Sequence, residues 1–135
     1  MEPFTTLTAV ALPIDQPNVD TDQIIPARFL GRPRDTQVQA LFRDLRYDAE
    51  GKARPDFIMN RPGYEGARII VTERNFACGS SRENAVTVMV DNGFRAFIAP
   101  SFGDIFFGNC FQNAALPIRL DAARVAALRA QLHAR

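Results

Sequence analysis

Hydroxyl, carboxylate and guanidinium groups crowd into one stretch of this 135-residue chain: Asn75-Phe76-Ala77-Cys78-Gly79-Ser80-Ser81-Arg82-Glu83-Asn84. Arg82 grips a carboxylate or phosphate through paired hydrogen bonds, and Ser80 and Ser81 add two hydroxyls beside it. The stretch falls between a predicted strand and a predicted helix, where open α/β sheets bind ligands. A helix starting there turns unpaired N–H groups and its positive dipole end toward the loop, which makes an anion site. The same residues admit a plainer reading. Ser80-x-x-Glu83 is a capping box, and such a box needs no function. The run is not a nucleophile elbow, because Glu83 stands where G-x-S-x-G requires its second glycine.

A basic Ser80 is limited by energetics. A helix terminus contributes at most about 2 kcal/mol, under about two pKa units, and Arg82 adds a comparable amount. That is too little to hold an alkoxide at neutral pH. Further fixed donors, or contacts of the substrate to a metal, must complete a closed, water-poor site.

A second cluster is Asn18-Val19-Asp20-Thr21-Asp22-Gln23-Ile24-Ile25-Pro26. Its D-x-D offers two carboxylates to a cation or, more simply, a pair of Asx-turns. Arg28, Arg32 and Arg34 follow as a positive cluster or as solvated loop residues. Cys78 reads as a small packed thiol. One His (His133) and two Cys (Cys78, Cys110) exclude four-ligand zinc sites and an iron–sulfur cluster held by this chain alone. They also leave a Ser-His-Asp triad dependent on a His two residues from the chain end. The net charge of +1 gives no bulk attraction to nucleic acid or anionic membrane. Met1–Val10 reads neither as a signal peptide nor as a membrane span. Two unclustered cysteines suit a reducing cytoplasm.

The elements that must position these residues follow from periodicity. Thr6–Ile14 predicts a strand, Asp15–Asp22 a loop, and Ile24-Ile25-Pro26 an apolar plug. Val38–Leu45 carries a helical stripe at 38, 41, 42 and 45. Residues 48–66 are polar or broken by Pro and Gly. From Arg68 on, the pattern is regular: strands over Arg68–Thr72, Arg95–Ala99 and Leu116–Leu120, alternating with helices. The helices span Ser81–Asn92 with Gly93 at C′, Phe102–Asn113 opened by Pro100 and Ser101, and Ala122–Ala134 capped by Asp121. A β-α-β-α-β-α second half argues for a parallel sheet with covering helices. The first half reads as β-rich and loop-rich.

The segments Asn18–Leu30 and Asn75–Ala85 together resemble the small subunit of 3-isopropylmalate dehydratase, the isopropylmalate isomerase of leucine biosynthesis in the aconitase superfamily. Leu41–Tyr47, Pro55-Asp56-Phe57, Gly93–Ala96 and Ala99–Phe106 agree as well, so the resemblance covers nearly the whole chain. It implies a single swivelling β/β/α domain over residues 1–135. It also implies a heteromeric cytoplasmic hydro-lyase, inactive as this chain alone, whose large subunit carries a [4Fe–4S] cluster with one open iron. The implied reaction is dehydration of a hydroxy-dicarboxylate, 2-isopropylmalate, to isopropylmaleate and rehydration to 3-isopropylmalate, with iron as Lewis acid. By the same resemblance Ser80 is the base. Ser81 and Arg82 bind a substrate carboxylate, and Asp22 and Thr21 lie in the shared site. The Phe29–Arg34 loop resembles the one that reads the substrate's variable side chain, with Arg32 or Arg34 as its contact and Arg28 beside it as a further substrate-binding residue. Self-association of the isolated chain is expected if its partner-facing surface is apolar.

Four features depart from the family pattern. Asn84 stands where the family usually has His, Ala77 and Ala114 where it usually has glycine, and family members commonly continue for several dozen residues past the position of Arg135. They leave two alternatives: a hydro-lyase for another hydroxy di- or tricarboxylate, and a non-catalytic truncated paralogue that binds a partner or a small anion.

Overall fold

Runs such as Ile69-Ile70-Val71 and Ala96-Phe97-Ile98-Ala99 lack polar alternation, as strands covered on both faces do. In the computed structural model, which describes residues 8–79 and 82–134, they are the central strands of a parallel sheet. In chain order the elements are β1 (Ala11–Pro13), α1 (Thr21–Ile24), α2 (Arg34–Gln39), α3 (Arg43–Arg46) and β2 (Ile69–Val71). There follow α4 (Glu83–Asp91), β3 (Ala96–Ala99), α5 (Asp104–Gln112), β4 (Leu116–Arg119) and α6 (Ala122–His133). Short 3-10 turns lie at Ala27–Phe29 and Ile58–Asn60.

The sheet order is β1-β2-β3-β4, all parallel. Its register aligns Leu12, Ile70, Phe97 and Pro117 in one row, and Pro13, Val71, Ile98 and Ile118 in the next. Alternate rows face opposite sides. Phe97 meets Phe106 of α5, with ring centroids 5.4 Å apart. Val71 and Ile98 instead line a groove with Leu128 and Leu132 of α6. Helices therefore cover both faces, with α5 on one and α6 on the other. Each edge strand carries a proline, Pro13 or Pro117, which the ladder tolerates only at its margins.

The alternating second half is as the periodicity predicts, including the Asp121 cap of α6, whose side chain accepts from the Arg124 N–H at 3.0 Å. Gly93 ends α4 at φ +98, with the Gly93 N–H on the Val90 carbonyl and the Phe94 N–H on the Met89 carbonyl, a Schellman pair. No described helix is long and apolar enough to cross a membrane.

The first half differs from the expectation. Among its described residues β1 is the one named strand, since prolines at 17, 26, 33, 55 and 62 deny a ladder its N–H donors. Its apolar residues pack as plugs instead: Val19, Ile24, Ile25, Leu41 and Phe42 are fully buried. The helix expected over Val38–Leu45 is broken into α2 and α3 by Phe42, which sits at φ +53. Its N–H donates to the Ile24 carbonyl at 2.8 Å and its ring packs on Phe57. Core insertion outweighs helix continuity at this residue.

Candidate active site

Beyond their carboxyl ends the first three strands keep their spatial order as loops. Asp20 bridges Cys78, and Phe76 bridges Phe102, both in parallel sense. The Ala77 N–H donates to the Val19 carbonyl at 2.6 Å and the Thr21 N–H to the Cys78 carbonyl at 2.9 Å. On the other side the Asn75 N–H donates to Ser101 Oγ at 2.8 Å, and the Gly103 N–H to the Phe76 carbonyl at 2.9 Å. The two motif segments, some 55 residues apart in sequence, thus lie side by side at the carboxyl edge of the sheet. This is where ligands bind in folds of this kind.

The loop's conformation is unusual. Asn75, Ala77 and Gly79 all have positive φ, at 60°, 61° and 94°. Phe76 between them is buried against Phe97, Phe102 and Phe106, so an aromatic cluster anchors the loop from below. A Cβ on Gly103 would fall 2.5 Å from the Ala77 carbonyl oxygen, so only glycine allows this approach.

Arg82 and Asp22 meet across this junction. Arg82 Nη1 lies 3.5 Å from Asp22 Oδ1 and 3.4 Å from the Ile25 carbonyl. Among the described residues the Arg82 side chain donates both of these bonds through Nη1. Asp22 also accepts from the Ala27 N–H at 2.9 Å. Thr21 is beside them and buried, and its Oγ1 approaches Gly79. Ser80 and Ser81 lie outside the described residues.

The start of α4 corrects one expectation. The helix begins at Glu83, not Ser81, with Arg82 as an extended N-cap at φ −109 and ψ 116. Glu83 is therefore not the third helical residue a capping box requires. Its carboxylate accepts from Asn113 Nδ2 at 3.2 Å instead. The dipole's influence fades within one turn, and a start at Glu83 moves its positive end two residues further along the chain than a Ser81 start implies.

A capping box does form one motif earlier. Asp20 Oδ1 accepts from the Gln23 N–H at 2.8 Å, and Gln23 Oε1 from the Asp20 N–H at 3.0 Å. The D-x-x-Q spacing at 20–23 is the signal that the loop reading overlooked. With Asp20 capping α1 and Asp22 holding Ala27 and Arg82, the D-x-D has structural work for both carboxylates.

The loop arginines separate. Arg28 forms a bidentate pair with Asp44, at 2.9 and 2.6 Å. The Arg28 hydrogen bond holds the Asp44 carboxyl below its usual range, and the same bond raises the Arg28 guanidinium. Arg34 pairs in the same way with Asp91 of α4. Arg32 stands 5.8 Å from the Phe29 ring centroid, exposed. Sequence reasoning missed Gln37 and its link to Asn84. Gln37 is a buried amide that donates to the Leu30 and Arg32 carbonyls, and Asn84 donates to Gln37.

Cys110 does not suit a metal cluster. Cys110 is buried, and burial pushes its thiol up to about 12, far from a thiolate. Among the described residues no group of three or more His, Cys, Asp or Glu side chains gathers. His133 is occupied by Asp15, which Arg129 also holds at 2.9 Å.

A parallel sheet with helices on both faces, and a guanidinium facing a carboxylate at its carboxyl edge, define an α/β domain whose candidate site lies at that edge. Comparison with known proteins gives the family. Residues 1–123 match the model of the aconitase C-terminal domain, and the chain belongs to that family. A 3-isopropylmalate dehydratase small subunit of Paramagnetospirillum magneticum is 52% identical over 126 residues, spanning 93% of this chain and 63% of that protein. The protein of that name from Leptospira interrogans is 52% identical over 128 residues, spanning 93% and 62%. The crystal structure of a 3-isopropylmalate dehydratase from Methanocaldococcus jannaschii superposes with a TM-score of 0.66 at 28% identity, covering 85% of this chain and 62% of that one. The chain therefore spans a little under two-thirds of the length of these relatives.

Proposed function

We propose that this chain is the small subunit of a cytoplasmic hydro-lyase that isomerises 2-isopropylmalate to 3-isopropylmalate through isopropylmaleate. The observation that carries the reading is the meeting of the Asn18–Leu30 and Asn75–Ala85 segments around Arg82 and Asp22, in a chain whose relatives bear that name.

Residues 1–135 act as one swivelling domain. Ser80 takes the proton from the substrate carbon. Hydroxide leaves the neighbouring carbon, and the electron pair of the C–H bond becomes the double bond of isopropylmaleate. Rehydration with the opposite orientation completes the isomerisation. Ser81 and Arg82 hold a substrate carboxylate, Arg82 through the donors that Asp22 and Ile25 do not use. Asp22 orients Arg82, and Thr21 sets the facing turn. Arg28 and Arg32 flank the variable side chain of the substrate; the Arg28 pair with Asp44 is exposed and yields readily to a ligand. The residues of this chain do not fit an iron–sulfur cluster, so we assign the [4Fe–4S] cluster to the large-subunit partner. The isolated chain is inactive, and the exposed Ile105 and Phe111 of α5 favour its self-association.

The test is reconstitution with a cluster-loaded large subunit, followed by the ultraviolet absorbance of isopropylmaleate. Turnover of isopropylmalate in the mixture, and none with either component alone, is the expected result. Asn84, in place of a usual His, favours a second reading in which another hydroxy di- or tricarboxylate is the substrate. A substrate panel in the same assay separates the two, and a preference for a different acid would replace isopropylmalate.

A further inference from the structure

The Gln37 side chain is only 6% exposed, and its hydrogen bonding is directional. Its amide nitrogen carries two N–H donors, and both are used: one on the Leu30 carbonyl at 3.1 Å, the other on the Arg32 carbonyl at 2.9 Å. Two carbonyls on one side fix which way the amide points. Oε1 must then face α4, where Asn84 Nδ2 donates to it at 3.0 Å. Asn84 is the second residue of α4, two after Arg82. The chain of bonds thus runs from the first turn of the motif helix, through a buried amide, to the backbone on either side of Gly31. The rest of α2 is held to the far end of α4 by the exposed Arg34–Asp91 pair and by Asn92 Nδ2 on the Val38 carbonyl at 3.0 Å.

We propose that Gln37 and Asn84 are positioning residues. They fix the Leu30–Arg32 loop against the start of α4 and so set how tightly the site holds its substrate, without touching it. The inference rests on the functional reading above for its catalytic consequence, but not for the tether itself. The logic demands a hydrogen-bond donor at position 84. Asn supplies one at every pH, and an imidazole N–H would supply one too. A carboxylate of the same shape would set oxygen against oxygen. At position 37 a carboxylate would likewise face two carbonyls with no donor.

The experiment compares Asn84→Asp, Gln37→Glu and Asn84→His with the parent. All three keep side-chain size close enough to fold. The first readout is hydrogen exchange of the peptide covering Leu30–Thr36. Asn84→Asp, which loses one hydrogen bond, should speed it by about fivefold, and Gln37→Glu, which loses two, by at least as much, while Asn84→His leaves it near the parent. The second readout is KM against kcat in the reconstituted enzyme. KM should rise by a similar factor with kcat changed less than about twofold, the pattern of lost uniform binding, and Asn84→His should restore it. Unchanged loop exchange in both carboxylate variants would overturn the tether. Faster exchange with unchanged KM would overturn its role in substrate binding. Absence of turnover in the parent mixture would count against the functional reading alone, and loop exchange would still decide the tether.

Discussion

At residue scale, magnitudes decide what the two alanines in glycine positions cost. Ala114 is the C′ residue of α5, and the Ala115 N–H reaches the Cys110 carbonyl at 3.0 Å, the same closure that Gly93 makes for α4. Its φ of 59° strains an L-residue by about 1 kcal/mol or more. Ala77 has a similar φ of 61° but is buried, so its methyl returns about 0.8 kcal/mol of burial. Ala114→Gly should therefore raise stability by about 1 kcal/mol, and Ala77→Gly should leave it nearly unchanged. Urea midpoints at constant m-value measure both. A large gain at Ala77 with none at Ala114 would contradict the assignment of strain.

At element scale, the loop arginines show how an exposed pair affects stability with pH. The Asp44 carboxyl is held below its ordinary value of 3.8, chiefly by the Arg28 hydrogen bond. Its contribution is thus present above the ordinary value and lost as pH falls through the lower folded value. Both side chains are 56% exposed, so solvent screening keeps that contribution under about 1 kcal/mol. Asp44→Asn should be slightly less stable than the parent at neutral pH. The gap should close as pH falls through the lowered Asp44 value, and also in high salt, as linkage and screening require. Denaturation curves at several pH values test this, and a gap that widens in acid would refute it.

The elements also mark where sequence reading succeeds. Gly93, Asp121 and the apolar strand runs are local signals, and each appears where periodicity puts it. The Val38–Leu45 break is not local. It depends on Phe42 bonding to Ile24, a partner that no pattern within the helix announces. The late start of α4 is similar, because Arg82 is drawn out of the helix toward Asp22 and Ile25. Within the site, the motif residues are legible one segment at a time. Their meeting is legible only through the family resemblance, and the Gln37–Asn84 tether through neither, because a buried Gln looks like any other polar residue of an amphipathic helix.

At the scale of the whole molecule, the sheet explains why distant motifs work together. Its parallel order carries β1, β2 and β3 to the same edge, where their loops continue side by side. The aromatic cluster of Phe76, Phe97, Phe102 and Phe106 joins that edge to the core. Loss of a buried aromatic costs about 3–5 kcal/mol. Phe76→Ala should therefore lower global stability by that order and disorder the Asn75–Gly79 loop with it, as thermal unfolding and loop proteolysis would report. Retention of both would separate the loop from the core.

The central claim is that this domain brings a serine base to a site completed by a partner. Its most direct measurement is kcat of Ser80→Ala in the complex reconstituted with the cluster-loaded large subunit. The account predicts a loss of about 10²–10⁴-fold, the usual contribution of a positioned base, with assembly of the two subunits unaffected. Full turnover by Ser80→Ala would contradict it.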